Sequence, residues 1–282
     1  MHFPIAFFNG QYLPKQEISI SPDDRGFLFG DGTYEVVRIY HGKPFRLHRH
    51  IERLRYSTEA IRIPFSNFNQ IEELAYTLIQ KNELPHGEAI LYIQITRGVA
   101  PRSHSFPLNT SPTVYACLFP VPDFSKQRKE GVRAILVPDL RWQRCDIKSI
   151  SLLANVLASQ EAIERHAHEA IFVRNGWITE GTHTNVCRVV KGILQTPPLN
   201  GHLLNGITRE VILELCHTLK IPVEEVPISE TAFTQSEEIL ILGTITEIMP
   251  VIAVNDIQIG NGKPGPITQK LQNAFNELLS SE

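Results

Sequence analysis

A stretch that is rich first in proline and then in charge, residues 120–130, constrains the fold of this chain more than any other feature. Pro120 and Pro122 cannot continue a helix or a central strand, and the residues after Phe124 are mostly charged. Such stretches are typical of connections between domains. We therefore predict a small domain over residues 1–120, a linker over 121–130 and a large domain over 131–282. The length of 282 residues agrees with two domains, since domains usually contain about 100–200 residues.

Apolar periodicity predicts a different order of elements on each side of this stretch. Before it we predict a β-hairpin over 3–20, a strand over 34–40, helices over 48–61 and 67–81, and strands over 89–96 and 113–119. After it we predict a strand over 132–138, a helix over 151–166, hairpins over 171–180 and 185–195, a helix over 208–219, a strand over 239–242 and a helix over 266–279. The first order is typical of an α+β domain and the second of an α/β domain.

Composition and short motifs argue against several classes of protein. The longest apolar run is the six residues from Val114 to Phe119, whereas a membrane-spanning helix needs roughly 18–20. The first residues lack the basic and apolar regions of a secretion signal, so we predict a cytoplasmic protein. The basic segment 46–55 contains Glu52 and lacks an aromatic platform for bases, which argues against nucleic-acid binding. The four cysteines are far apart in sequence, so we predict reduced thiols and no metal site.

Lys148 and Glu180 are the first candidates for chemistry. Most lysines are solvated, but Lys148 stands between an extended segment and an apolar helix. An amine that is partly desolvated there has a lowered pKa and acts as a nucleophile, which is the requirement of Schiff-base chemistry. Glu180 ends a predicted hairpin strand beside Gly181, where a carboxylate is often only a turn residue.

Two loops offer backbone amides to an anion. The first is 204–209, in which Thr208 would open a helix, and the second is 242–246, which follows an apolar strand. Each loop could equally be a helix cap or an ordinary turn. Arg53 could supply a cation, although the stripe that it shares with Arg46 and Arg49 could also be a solvated helix face.

A further loop, Thr96 to His104, places an arginine and a histidine two residues apart. Arg102 and His104 could both bind one carboxylate, because a guanidinium offers a planar fork and an imidazole adds another donor. Such side chains are often simply solvated. Tyr34, in the predicted strand over 34–40, could join them or be a half-buried strand residue.

Taken in order, these segments resemble the class IV (fold-type IV) pyridoxal-phosphate aminotransferases. The resemblance runs nearly end to end and is carried by residues 24–37, 50–54, 144–149, 179–181, 185–186 and 206–209. Within the family, residues 97–104 and 141–149 are most similar to the D-amino-acid aminotransferases. The fold that this implies is a small N-terminal α+β domain and a larger C-terminal α/β domain with the cofactor in the cleft between them.

The resemblance also implies a role for each candidate. Lys148 would hold pyridoxal 5′-phosphate as a Schiff base and move the proton at the substrate α-carbon, and Glu180 would accept a hydrogen bond from the ring nitrogen. The other cofactor contacts that it implies are Arg53, Leu204, Gly206, Ile207, Thr208, Gly243 and Thr244. Tyr34, Arg102 and His104 would bind the substrate α-carboxylate, the last two across a homodimer interface. Two residues depart from the family pattern: His183 replaces a small hydroxyl residue and Gly243 replaces a serine.

The implied reaction transfers an amino group between D-amino acids, such as D-alanine, and 2-oxo acids, such as 2-oxoglutarate or pyruvate. One alternative is a branched-chain amino-acid aminotransferase, which shares the cofactor residues. Another is a lyase like aminodeoxychorismate lyase, which keeps the lysine and the glutamate but eliminates pyruvate. Arg102 with His104 argues against the lyase. A module that binds the cofactor without turnover is a third alternative, and Lys148 and Glu180 argue against it.

Overall fold

A computed structural model describes residues 3–281 and divides the chain into two compact units. The first contains Met1–Pro122 and Ile147–Leu152, and the second contains Asp123–Asp146 and Leu153–Glu282. The segment that holds Lys148 is thus grouped with the first unit, whereas the sequence places it in the large domain. Residues 121–130, for which we predict a linker, include a short helix.

The first unit contains a six-stranded antiparallel sheet within its described residues. Its elements are β1 (Ile5–Phe8), β2 (Gln11–Pro14), α1 (Arg25–Phe29), β3 (Gly32–Tyr40), β4 (Lys43–Pro44), α2 (Leu47–Ala60), α3 (Asn69–Lys81), β5 (Ala89–Thr96) and β6 (Thr113–Phe119). The strand order is β2-β1-β6-β5-β3-β4. Because side chains alternate along a strand, Val37, Leu91 and Ile93 join the core with α2 and α3, while Tyr34 and Tyr92 lie on the other face.

The second unit contains a mixed nine-stranded sheet in the described part of the chain. Its elements are α4 (Ser125–Glu130), β7 (Val132–Pro138), α5 (Leu153–Glu164), β8 (Glu169–Arg174), β9 (Trp177–Gly181), β10 (Asn185–Val190), β11 (Ile193–Thr196), α6 (Ile207–Thr218), β12 (Val223–Glu225), α7 (Glu230–Thr234), β13 (Glu238–Gly243), β14 (Glu247–Val254), β15 (Ile257–Gln258) and α8 (Pro266–Ser281). The order is β12-β11-β10-β13-β14-β7-β8-β9, and β15 pairs with β14. Parallel pairing of β7 with β8 across α5 forms a β-α-β unit.

Three further observations concern the length of the helices, the grouping of metal-binding side chains and the state of the cysteines. None of the helices over residues 3–281 is both long and apolar enough to cross a membrane. Among the same residues, no three His, Cys, Asp or Glu side chains are grouped so that they could hold a metal ion. The four cysteines, at 117, 145, 187 and 216, are free and buried.

Candidate active site

Lys148 is held by its backbone against the start of β3. Its N–H donates to Ser57 Oγ at 3.1 Å, and its carbonyl accepts from the Tyr34 N–H at 3.0 Å. An isolated β-bridge between Thr33 and Ser149 extends this pairing. The half-buried side chain lies over the Tyr34 ring, with Nζ 4.3 Å from the ring centroid. The first unit therefore brings together two of the predicted site residues, Lys148 and Tyr34.

Arg53 is fixed by a buried carboxylate that sequence reasoning did not single out. Its Nε and Nη2 donate to the two oxygens of Glu35 at 2.7 and 2.9 Å, and His50 Nδ1 lies 2.8 Å from Glu35 Oε2. Burial alone would raise the pKa of Glu35, but the charge and hydrogen bonds of Arg53 and the hydrogen bond to His50 hold it below its ordinary value of 4.5. Arg49, on the same predicted stripe, pairs instead with Glu52 on an exposed face.

This network makes the stability of the protein depend on pH. Burial lowers the pKa of His50 below its ordinary value of 6.5, although Glu35 partly opposes this effect. The unfolded chain therefore takes up a proton below pH 6.5 that the folded chain does not, and the stabilisation is lost as the pH falls through that range. Glu35 adds a second loss below pH 4.5, since its folded pKa is also lowered. We expect the free energy of unfolding to fall by up to about 1.4 kcal/mol per pH unit for each such group.

Urea denaturation between pH 7.5 and 5 measures this effect. The variant His50→Gln should reduce the decline below pH 6.5. His48→Gln is the matched control, because His48 lies on the same helix, α2, but is exposed. If His50→Gln kept the full wild-type decline, His50 would not be the group responsible.

Glu180 lies in a buried network of the second unit. Its Oε1 accepts from Arg141 Nη1 at 2.5 Å, and its Oε2 accepts from the Leu204 N–H at 2.9 Å. Arg141 also binds both oxygens of Asp139, at 2.9 and 3.0 Å. Asn185 Nδ2 donates to the Leu204 carbonyl at 2.8 Å, which ties the loop before α6 to the start of β10. The predicted residues Glu180 and Leu204 are therefore direct neighbours.

The loop before α6 ends at a glycine that its surroundings require. A Cβ on Gly206 would lie 1.9 Å from Asn185 Oδ1, so no other residue fits without displacing Asn185. Gly206 is the N-cap, and the first helical hydrogen bond runs from the Glu210 N–H to its carbonyl at 3.0 Å. The amides of Ile207 and Thr208 thus belong to the first turn, where a helix leaves its N–H groups without helical partners. Such amides bind phosphate groups readily.

The second predicted loop adds hydroxyl groups. Thr244 is half-buried, and Thr246 Oγ1 is buried without a hydrogen-bond partner among the residues that the structure describes. A Cβ on Gly243 would lie 2.8 Å from that oxygen and 3.4 Å from the His183 carbonyl. A buried hydroxyl without a partner and the amides at the start of a helix are both donors that a phosphate would satisfy. The donors of the second unit therefore fit the phosphate predicted from the sequence.

The two departures from the family pattern lie next to each other. Gly243 leaves no side chain between the Thr246 hydroxyl and the backbone of His183. The exposed His183 ring has Nδ1 2.9 Å from Thr182 Oγ1 and 3.5 Å from the buried carboxylate of Glu169. Contacts with Thr182 and Glu169 thus fix the orientation of the His183 ring.

Arg102 and His104 lie on an exposed loop and pack against Phe29. The Arg102 guanidinium lies 5.2 Å from the centroid of the Phe29 ring, and the His104 ring packs at 5.5 Å from the same ring. Arg25 fixes the loop by donating to the Ser103 carbonyl at 2.5 Å. No hydrogen bond, ion pair or ring contact among residues 3–281 joins either side chain to Tyr34, whose ring stacks on Tyr92 instead.

Comparisons with known proteins show the family to which the chain belongs. A family model described as class IV amino-transferase matches residues 32–254. The chain belongs to the class IV aminotransferases. The D-alanine aminotransferases of Bacillus licheniformis and Staphylococcus haemolyticus are 40% and 38% identical to it over 278 residues, which cover 98% of this chain and 98% of each relative.

Solved structures agree with this assignment. The branched-chain amino acid aminotransferase of Escherichia coli is 28% identical, with a TM-score of 0.90 over 99% of this chain and 95% of that one. The branched-chain enzyme of Thermobaculum terrenum, at 24% identity and a TM-score of 0.88 over 99% and 94%, shares the fold. The predicted family and the predicted fold class, fold-type IV with α+β and α/β parts, are thereby confirmed.

Sequence reasoning missed the partners that hold the candidates in place. Glu35, His50 and Arg141 all stand inside the segments that carry the family resemblance, but no local pattern assigned them a role. No motif in the sequence marks Asp139. A buried arginine or lysine needs a carboxylate, so the pairing of Arg53 and Arg141 with acidic residues was the signal available.

Proposed function

We propose that this class IV aminotransferase is a D-amino-acid transaminase, acting on D-amino acids such as D-alanine and on 2-oxo acids such as 2-oxoglutarate or pyruvate. The observation that carries this proposal is the identity of 37–40% to proteins named D-alanine aminotransferase, over 98% of both chains. The branched-chain enzymes, which represent the alternative, are only 22–28% identical to it. The pair Arg102 and His104 supports the same choice.

The cofactor is pyridoxal 5′-phosphate. When bound, it withdraws electrons from the substrate α-carbon and carries the amino group from one acid to the other. The donor set fits it: in the second unit, the amides of Ile207 and Thr208 and the hydroxyls of Thr208 and Thr244 would bind the phosphate, and Leu204 would pack against the ring. In the first unit, Arg53 would add the cation that neutralises the phosphate.

Lys148 and Glu180 are the side chains that would move or hold protons. The Lys148 amine would take the proton from the substrate α-carbon and return it at the cofactor, so it must be free of competing ion pairs. Among residues 3–281 no carboxylate pairs with this amine, which lies over the Tyr34 ring. Glu180, as an ionised carboxylate, would accept a hydrogen bond from the protonated ring nitrogen and keep the proton there.

A second copy of the chain would supply part of the carboxylate site. We infer that Arg102 and His104 of one protomer bind the same substrate carboxylate as Tyr34 of the other, because both lie on an exposed loop that is accessible to a second copy of the chain. An exposed apolar stripe on α5 supports self-association: Leu153, Val156 and Leu157 are 60–72% exposed and lie at helical spacing. Sedimentation of the purified protein should then report a dimer.

The reaction is tested with D-alanine and 2-oxoglutarate, followed by chiral analysis of the glutamate formed. D-glutamate is the expected product, with consumption of D-alanine and little consumption of L-leucine. Consumption of L-leucine without D-glutamate would favour the branched-chain alternative. Release of pyruvate from aminodeoxychorismate, with no D-glutamate formed from D-alanine and 2-oxoglutarate, would favour the lyase.

Replacing Arg102 with alanine tests the carboxylate site. We expect the KM for D-alanine to rise about 10- to 100-fold, because a hydrogen-bonded charge contact contributes roughly 1.5–3 kcal/mol. Bound cofactor should stay at the wild-type level. A loss of cofactor with an unchanged KM would contradict the assignment.

A mixing experiment tests whether Arg102 acts on the partner. Neither Lys148→Ala nor Arg102→Ala protein should be active at low D-alanine concentration. A mixed dimer has one site with both residues intact only if they come from different protomers, so activity should appear when the two variants are unfolded and refolded together. No recovery in dimers that are shown to be mixed would mean that Arg102 serves its own chain.

A further inference from the structure

Arg141 joins two buried carboxylates in the second unit. It donates to Glu180 Oε1 through Nη1 and to Asp139 through Nε and Nη2. The Asp139 side chain is fully buried, and those of Arg141 and Glu180 are 7% and 8% exposed. Nη2 also donates to the His202 carbonyl at 3.2 Å. The guanidinium therefore has one fixed orientation, with a single N–H group directed at Glu180.

We propose that Arg141 is a positioning residue that keeps Glu180 ionised and aimed at the ring nitrogen of the cofactor. This inference rests on the proposed function, and within it on the role of Glu180. Burial penalises the charged form of a carboxylate, so a buried glutamate without a cation takes up a proton. A protonated Glu180 would donate a hydrogen bond instead of accepting one, and the ring nitrogen would then lose its proton.

The charges around Arg141 identify which carboxylate depends on it. Asp139 also binds Arg174, whose Nη2 lies 3.1 Å from Asp139 Oδ1. Two carboxylates and two guanidinium groups thus balance. If Arg141 is removed, Arg174 remains on Asp139, whereas Glu180 loses the guanidinium that donates to its Oε1. Uptake of a proton would then occur at Glu180.

Arg141 itself is secured in its charged form. Burial would lower its pKa, but pairing with Asp139 and the charge of Glu180 raise the pKa above its ordinary value. The backbone of the same segment is held as well, since Arg174 Nη2 donates to the carbonyls of Arg141 and Trp142 at 3.0 Å. Asp139 and Arg174 thus hold the side chain and the backbone of Arg141. Of these three residues, Arg141 is the one that donates to Glu180.

The test compares two cofactors on the cofactor-free protein. One is pyridoxal 5′-phosphate, and the other is its 1-deaza analogue, in which a C–H group replaces the ring nitrogen. Arg141→Met has a similar length and no charge. We expect it to bind pyridoxal phosphate at least about tenfold more weakly, which corresponds to one pKa unit at Glu180. Its affinity for the deaza analogue should be unchanged or higher, because a neutral Glu180 does not oppose a C–H group.

Arg174→Met is the matched control, because it removes an arginine from Asp139 and leaves the Glu180 contact in place. It should bind both cofactors with the same relative affinities as wild type. Equal weakening of both cofactors by Arg141→Met, or the same discrimination by Arg174→Met, would reduce Arg141 to a structural role. If Arg141→Met did not fold, Arg141→Lys would replace it, with a smaller loss expected for pyridoxal phosphate alone. Wild-type protein that binds no pyridoxal phosphate would overturn the proposed function itself.

Discussion

Replacing Lys148 with alanine should lower kcat for D-alanine and 2-oxoglutarate by at least about 10⁴-fold, the upper range of general-base catalysis. Lys148 is the amine proposed to move the proton at the substrate α-carbon, and its backbone position between Ser57 and Tyr34 fixes where that amine lies. Single-turnover measurements on cofactor-loaded protein would separate the chemical step from substrate binding. The affinity for the cofactor should fall as well, because Lys148 is also proposed to hold it.

Rescue with an added amine makes this result specific. Methylamine should restore part of the lost rate in Lys148→Ala protein, because the truncated side chain leaves room for a small base. Lys126→Ala is the control: Lys126 is 78% exposed on α4, and its removal should leave kcat unchanged. Substantial activity in Lys148→Ala without any added amine would show that another group takes the proton.

Replacing Glu180 with glutamine should lower kcat by about 10²–10³-fold, as loss of one preorganised electrostatic contact does in other enzymes. A neutral amide cannot hold the proton on the ring nitrogen, so the electron-withdrawing power of the cofactor falls. The amide oxygen can replace only one of the two carboxylate oxygens that accept from Arg141 and from the Leu204 N–H, so circular dichroism must show that the variant is folded. Solvent isotope exchange at the α-carbon of D-alanine measures the proton step directly.

Glu225→Gln is the matched control for this variant. Glu225 also pairs with a buried arginine of the second unit, Arg209, at 2.6 Å. The Glu225 side chain is 47% exposed, so its replacement should reduce stability less than that of Glu180 and leave the exchange rate unchanged. If Glu180→Gln exchanged the α-hydrogen at the wild-type rate, Glu180 would not govern the protonation of the ring.

Helices and strands could be predicted where a short apolar run in the sequence marks them. The predicted strands over 89–96, 113–119 and 132–138 coincide with β5, β6 and β7, because a buried strand must be apolar along a short, bounded run. The strand β14 was not predicted, since Pro250 stands in its middle and proline has no N–H for a sheet ladder. The helix α4 was not predicted either: none of its residues is buried, so no apolar period marks it.

The candidate site was predictable only in part. Lys148, Glu180, Arg53 and the two loops were named from short patterns and from family resemblance, and their roles remain predictions. Their partners required the structure, because the pairing of Arg53 with Glu35 spans 18 positions and that of Arg141 with Glu180 spans 39. No periodic pattern links residues at such distances.

The sequence by itself determined the family, the fold class and the residue types that do the chemistry, since these depend on motifs read over a few adjacent positions. Only the tertiary structure decided that Lys148 packs against Tyr34 and that Arg141 donates to Glu180. It also decided that Glu35 binds Arg53 and contacts His50. The physical reason is burial: a charge removed from water needs a partner, and which partner it finds depends on how the whole chain folds around it.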